Sequence, residues 1–398
     1  MTKSLHPREW FVLVFLVVSA VVAIGVGLTR RVPRPPDLSS VPALLAARDY
    51  DRAERMIQGY LVKRPENPAA HVLMAQVALA RDVQKPALAL EHLDRVKSFD
   101  RRVKAVVELN RGKAYSSLAR HDQAEDCWKR ALELDPNVPE AGWALLGLYY
   151  VQSRRAEAHA LALELQAREP DPRDRVQLLL ELIREDVQPL GAESTARTFE
   201  PVVRDNPGDL HSAIALGRAL VKINRADEGI GLLRDLVSRD PLDPASWEAL
   251  LLAEDDASRP AELERDLARI PQVLAADPRF ASPRGAMLAQ RGDWKGAAVA
   301  YRAAMELDAS DDRVHYRLAR ALKNSGDDRE SEAITRLDRA RRMARQELTD
   351  LYEQANRLMN LTGSLDPELC LRLAAVRDRM GRADEADRWR GLATGARG

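Results

Sequence analysis

A 34-residue period constrains what this chain can fold into more than any other feature. Its clearest copy reads NRGKAYSSLARHDQAEDCWKRALELDP from Asn110 to Pro136, with Gly112, Tyr115, Ala124, Trp128, Ala131 and Pro136 as its marked positions. The phase recurs elsewhere: Pro136 and Pro170, Pro207 and Pro241, and Gly292 and Gly326 are each 34 residues apart. A unit of this size holds two short helices and cannot bury its apolar face alone, so copies must stack on one another. Gly112 and Ala124 are small where the two helices of a unit cross, while Tyr115 and Trp128 fill the space beside them. Ala131 lies where the next unit packs, and Pro136 ends the second helix because it cannot extend the hydrogen-bond ladder.

These residues at these spacings resemble the tetratricopeptide repeat family. Further copies carry Trp143, Leu146, Gly147 and Tyr150; Leu216, Gly217 and Leu220 with Leu233 and Pro241; and Trp294, Ala297, Tyr301 and Ala304. Eroded copies begin with Tyr50, Ala53 and Pro65 and end with Leu373, Gly381, Ala383 and Ala386. Roughly nine or ten units cover residues 43–394, leaving 395–398 as a tail. The resemblance implies an all-α fold, a right-handed superhelical solenoid of antiparallel helix pairs in which the first helix of each pair lines a concave face. The word departs from its pattern in places. The turn at Arg154 and Arg155 is one residue short, and 173–207 keeps only Phe199 and Pro207. In 247–278, Pro271 falls inside an otherwise helical segment and predicts a kink. In 328–365, no Gly or Pro interrupts Asp328 to Leu361, which predicts one long helix.

Apolar residues recur at helical and not alternating spacing, so composition calls for no strands. A chain of 398 residues would ordinarily divide into two or three domains. A stacked array escapes that arithmetic, because each pair buries its face on its neighbours. The 61 Lys and Arg balance 61 Asp and Glu, and a formal net charge of zero argues against broad nucleic-acid binding.

Before the repeats, residues 10–28 read WFVLVFLVVSAVVAIGVGL, an uncharged run of about the length that crosses a hydrocarbon core. With a short tail at 1–9 and a Pro- and Arg-rich linker at 29–42, this predicts a single-pass membrane protein. Trp10 suits the interface, and Arg30 with Arg31 supplies a polar stop. A cleaved signal peptide is the alternative, with Lys3 and Arg8 as its basic start and Val18-Ser19-Ala20 as the cleavage site. Cleavage there would leave apolar residues exposed, which favours the anchor. Flanking charges nearly balance, and the short tail favours repeats on the extracytoplasmic side. Ser19, Ala23 and Gly27 lie four apart on one helical face, a candidate homodimer contact.

Catalytic and metal motifs do not emerge. The two cysteines, Cys127 and Cys370, lie many repeats apart, and non-neighbouring repeats rarely touch, so two buried free thiols are expected. The seven histidines form no His-Glu-x-x-His, and there is no Walker loop, nucleophile elbow or dinucleotide fingerprint. Neither cofactor nor metal is expected. The pairs Asp255-Asp256, Asp311-Asp312 and Asp327-Asp328 read as caps of helix starts.

In the resembled family, extended segments or partner helices bind the concave face. The repeat phase puts Val72, Leu73, Leu79, Leu109, Leu148 and Val151 at inward positions of the early units. Arg218, Lys222, Arg313, Arg317, Arg320, Lys323, Arg372 and Arg379 take those positions in the later ones. A groove apolar at its start and basic toward its end would take a protein segment with apolar anchors and carboxylates. The alternative is a solvated arginine face paired with nearby Asp and Glu. The family's carboxylate clamp is incomplete, since Asn110 and Lys113 occur together but Leu109 takes a clamp lysine position and Ala144 and Leu148 follow. The expected function is a membrane-tethered, non-enzymatic scaffold assembling an envelope complex. An accessory subunit of a polysaccharide-export or secretion machine is the alternative, and an enzyme with an unrecognised site the remote one.

Overall fold

The computed structural model describes residues 38–309 and 311–395. Over these residues the chain forms 20 α-helices and three short 3-10 turns, with no strand. Among the described residues no helix is long and apolar enough to cross a membrane. This finding overturns the single-pass membrane localisation expected above. The span 10–28 and the dimer contact at Ser19, Ala23 and Gly27 lie outside the described residues.

The described residues divide into two compact units, with the boundary after Leu148, inside helix Pro139–Val151. In the first unit, polar residues start the helices. Asp49 accepts the amide of Arg52, Asn67 that of Ala70 and Asp100 that of Arg102, satisfying donors that the first turn leaves open. Helix Pro68–Ala80 is buried at every position from Ala70 to Leu79 because it is covered on two sides. Leu73, Met74 and Val77 join a cluster with Val41, Leu45, Ala53, Ile57 and Tyr60. Val72, Ala75, Ala78 and Leu79 join another with Ala89, Leu93, Val107 and Ala114. Each large side chain so buried stabilises the unit by about 1.5–3 kcal/mol.

The repeated word has one geometric meaning in both units. In the first, helices Arg101–Ser117 and His121–Leu134 cross at Gly112, where a Cβ would lie 2.3 Å from the Trp128 indole nitrogen. In the second, a Cβ on Gly217 would meet Leu233 at 2.6 Å, and one on Gly285 would meet Tyr301 at 2.7 Å. The sequence offset is the same in all three pairs. The turn between paired helices repeats too: Ala119, Ser153, Asn224, Ser258, Gly292 and Gly326 all take positive φ, and from Asn224 onward they follow one another at 34-residue steps.

Two irregular stretches of the second unit resolve differently. Pro271 does not kink a helix. Helix Pro260–Leu267 ends before it, and short 3-10 turns at Gln272–Leu274 and Pro278–Phe280 carry the chain onward. Proline disfavours helical geometry in the preceding residue, Ile270, and itself offers no N–H, so termination costs less than a kink. Asp328–Thr362, by contrast, is one helix of 35 residues, capped by the Asp327 carboxylate and closed by Gly363.

Distant repeats of the second unit touch, contrary to the expectation of a linear array. Helix Pro172–Val187 packs on Asp328–Thr362 and on Ala383–Thr394. Arg173 crowds Gly363 at one end, and Tyr352 feels the charges of Glu181 and Arg184 toward the other, so the first two helices run antiparallel. Arg377, only 1% exposed, seals the contact by pairing with Asp186 and Glu385, each at 2.5 Å. Cys127 and Cys370 are free buried thiols, and burial pushes each up to about 11.

Candidate functional site

Most of the residues expected to line the apolar half of the groove are buried. Val72, Leu73, Leu79 and Leu109 are buried in the first unit, Leu148 is buried as well, and Val151 is half-buried. A helix packed on two sides, like Pro68–Ala80, spends its apolar positions on its neighbours and has none left to present.

The basic residues lie in the second unit and divide by partner. Arg313, Arg317, Arg320 and Lys323 follow one face of helix Asp312–Ser325 at three- and four-residue steps. Arg313 donates to Asp256 at 2.9 Å and also pairs with Asp311, and Arg317 donates to Asp255. Asp255 and Asp256 therefore do not cap a helix start. They end helix Pro244–Asp256, where the dipole disfavours carboxylates and the two arginines offset that cost. Asp311 and Asp327 do cap, accepting the amides of Arg313 and Glu330.

Among the cations expected in the groove, Arg218, Lys222, Arg320, Lys323 and Arg372 make no ion pair with the described residues. Burial, partly offset by Glu248, lowers the pKa of Arg218. Lys222 is lowered by burial and then by Arg218 and Arg313. Arg320 is exposed and lies over the Trp294 ring, its guanidinium carbon 5.6 Å from the centroid. Farther along the chain, Arg379 pairs with Glu347 at 2.5 Å while Arg372 is exposed.

Arg320 and Arg317 border a cleft of about 210 Å³ with Asp255, Ala286, Ala289, Gln290, Trp294 and Tyr301. Its walls come from helices Ala281–Gln290 and Trp294–Leu307 and from the basic helix. Trp294 and Tyr301 read in the sequence only as repeat positions. Trp294 is half-buried and Tyr301 buried, and both line the cleft beside Ala286 and Ala289, small residues one turn apart. Burial pushes the Tyr301 phenol up to about 12, so it stays a neutral hydrogen-bonding group at neutral pH.

One further cluster has metal-ligand geometry: His159, Asp384 and Glu385 bring ligand atoms within 4.8 Å of one another. Glu385 is already committed, however, accepting from His159 at 3.1 Å and neutralising Arg377. A cation there would compete with a buried guanidinium. In the first unit, His71 and His92 meet through their Nδ1 atoms at 2.9 Å beside a cleft of about 410 Å³, and His71 also bonds the Pro65 carbonyl through Nε2 at 2.7 Å.

Comparison with known proteins gives the repeats their family. Residues 105–138 match the family described as tetratricopeptide repeat, and residues 285–326 match one described as TPR repeat. Cellulose synthase operon protein C of Pseudomonas fluorescens (strain SBW25) is 27% identical over 37% of this chain. Cellulose synthase 2 operon protein C of Komagataeibacter xylinus is 29% identical over 56% of it. The chain covers only 12% and 19% of those relatives' own lengths. Among solved structures, a tetratricopeptide repeat protein from Parabacteroides merdae ATCC 43184 is similar with a TM-score of 0.30 and 15% identity, over 72% of this chain and 97% of that one. The human IFIT1 dimer with m7Gppp-AAAA has a TM-score of 0.36 and 13% identity, over 98% and 95% of the two chains. The chain therefore carries tetratricopeptide repeats in both of its units.

Proposed function

We propose that this protein is a tetratricopeptide scaffold for protein–protein interaction, and that it captures an acidic segment of its partner on the basic helices of the second unit. The observation that carries this reading is the grouping of Lys222, Arg320 and Lys323, which make no ion pair, on helices Leu210–Lys222 and Asp312–Ser325 of a chain of zero net charge. Lys222, Arg320 and Lys323 are exposed, and exposed cations that make no ion pair within the chain favour an external anion. The same reading assigns the chain no catalysis. Its cleft supplies cations, an aromatic wall and a neutral phenol, which are binding groups.

Likeness to two cellulose synthase operon C proteins favours a partner within a polysaccharide-producing or polysaccharide-exporting assembly. The test has two parts. Deleting the gene should reduce surface or secreted polysaccharide, and the tagged wild-type chain should recover components of that assembly. A full polysaccharide yield, with recovery of none of those components, would remove this placement. For the surface itself, the double variant Lys222→Glu and Lys323→Glu, at two exposed positions, should lose the partner while its helical circular dichroism stays unchanged. Undiminished recovery would show that the partner binds elsewhere.

A further inference from the structure

The cleft at Arg320 is more specific than a positive patch. We infer that it is an anchor site for a single acidic side chain, glutamate or aspartate, of the partner segment, with Arg320 as the fork that grips the carboxylate. This rests on the scaffold reading above and gives it a residue-level specificity. Three observations converge on it.

Size comes first. The cleft holds about 210 Å³, below the roughly 300–1,000 Å³ of sites for small molecules and cofactors. It has room for one side chain. Charge is second. Arg317 and Asp255 neutralise each other, and the Asp255 side chain is only 8% exposed, so Arg320 leaves the cleft with one unmatched positive charge. One carboxylate balances it. Preorganisation is third. The Arg320 guanidinium carbon lies 5.6 Å from the Trp294 ring centroid, within cation–π range, and this attraction favours one position of the side chain, which reduces the entropy lost when a carboxylate pair forms.

The rest of the lining fits the same guest. Ala286 and Ala289 give a shallow apolar wall for its methylene groups, and Gln290 can hydrogen-bond its backbone. Lys323 continues the positive face one turn along the helix and would favour a second acidic residue in the same segment. Gly285 supports the wall from behind, because any side chain there would drive into the Tyr301 ring.

A fluorescein-labelled hexaglutamate peptide is the probe, with hexaglutamine as its neutral counterpart, read by anisotropy on the full chain at low salt. Wild type should bind hexaglutamate and not hexaglutamine. Arg320→Ala should weaken binding at least about tenfold, and Arg320→Lys, which keeps the charge but loses the planar fork, should restore only part of it. Trp294→Leu should weaken it as well by releasing the guanidinium. Arg197→Ala, which removes an exposed arginine of helix Ala192–Asp205, should stay within about twofold of wild type. Equal losses for Arg320→Ala and Arg197→Ala would mean diffuse charge attraction and would overturn the anchor, as would full recovery by Arg320→Lys or no binding by wild type. If the partner is recovered from cells equally by wild type and Arg320→Ala, the anchor fails while the scaffold reading stands. If wild type recovers no partner, the scaffold reading itself fails.

Discussion

Glu254 and Asp266 are both fully buried, and the guanidinium of Arg234 reaches both, at 2.7 and 3.2 Å, together with Glu262 at 2.9 Å. Two adjacent buried carboxyls cannot both stay ionised at little cost, and here one keeps its proton. Burial, then hydrogen bonding and the charge of Asp266, pushes Glu254 up to about 8 from its ordinary 4.5. Asp266 is held below the usual range, because hydrogen bonds from Arg265, Glu254, Arg269 and Arg234 prevail over burial. At neutral pH a protonated Glu254 therefore donates to Asp266. The folded state holds this proton more tightly than the unfolded chain between about pH 4.5 and 8, so stability falls as pH rises through that window. Glu254→Gln, a permanent neutral donor, should match wild type near pH 4.5 and lose less melting temperature between pH 5 and 8. Parallel melting curves for the two proteins across that range would show that Glu254 is not the titrating group. A second residue-scale prediction concerns Ala119, whose φ of +56° costs a side chain about 1–2 kcal/mol relative to ordinary helix geometry. Ala119→Gly should stabilise by up to about 1 kcal/mol, the gain reduced by the extra freedom of glycine when unfolded, as urea midpoints would report.

At the scale of elements, the close crossing of two helices can be tested inside one helix. Ala226–Arg239 contains Gly229 and Gly231, two residues apart and opposite in environment. A Cβ on Gly229 would stand 2.5 Å from the carbonyl oxygen of Gly217 in the preceding helix, and backbone cannot step aside. A Cβ on Gly231 would meet nothing within 4 Å. Gly229→Ala should thus destabilise by about 1–3 kcal/mol, and Gly231→Ala should stabilise by about 0.5–1 kcal/mol through helix propensity. Similar effects for both in thermal unfolding would contradict the crossing. This crossing was legible in the sequence, because sterics force small residues to recur at fixed places of the repeat, as at Gly112 and Gly217, whereas the one at Gly285 emerges from the structure. The turns were only partly legible: Gly292 and Gly326 announce left-handed geometry, whereas Ala119 and Ser258 adopt it under the constraint of the helices they join. The site was less legible still. Repeat phase tells which face of a helix looks inward, but not whether another helix covers it, so Val72 and Leu109 read as groove and are core. Nor could it tell Arg317, matched by Asp255, from Arg320, matched by nothing, since that difference depends on a helix more than sixty residues away.

At the scale of the whole molecule, the second unit departs from the one-dimensional energetics of a repeat array. In such an array each repeat feels only its neighbours, and disturbing the last pair leaves distant pairs untouched. Here Arg377 reaches Asp186 across 191 residues, and both it and Glu385 are only 1% exposed. No periodic signal in the sequence foretells such a contact, because it depends on the accumulated rotation of every repeat between its ends. Removing one member of a buried charge network leaves its partners desolvated and unmatched, a loss of about 3–5 kcal/mol. Arg377→Ala should therefore lower the stability of the second unit by that amount. More tellingly, it should raise amide hydrogen exchange in 172–187 as well as in 367–394, although the two segments are remote in sequence. Deleting 383–395 should do the same in a second, independent way, because it withdraws Glu385 and the helix that packs on 172–187. If exchange rises only in 367–394 for the first variant, and stays at wild-type levels in 172–187 for the second, then the ends of the unit touch without sharing energy, and the array is one-dimensional after all.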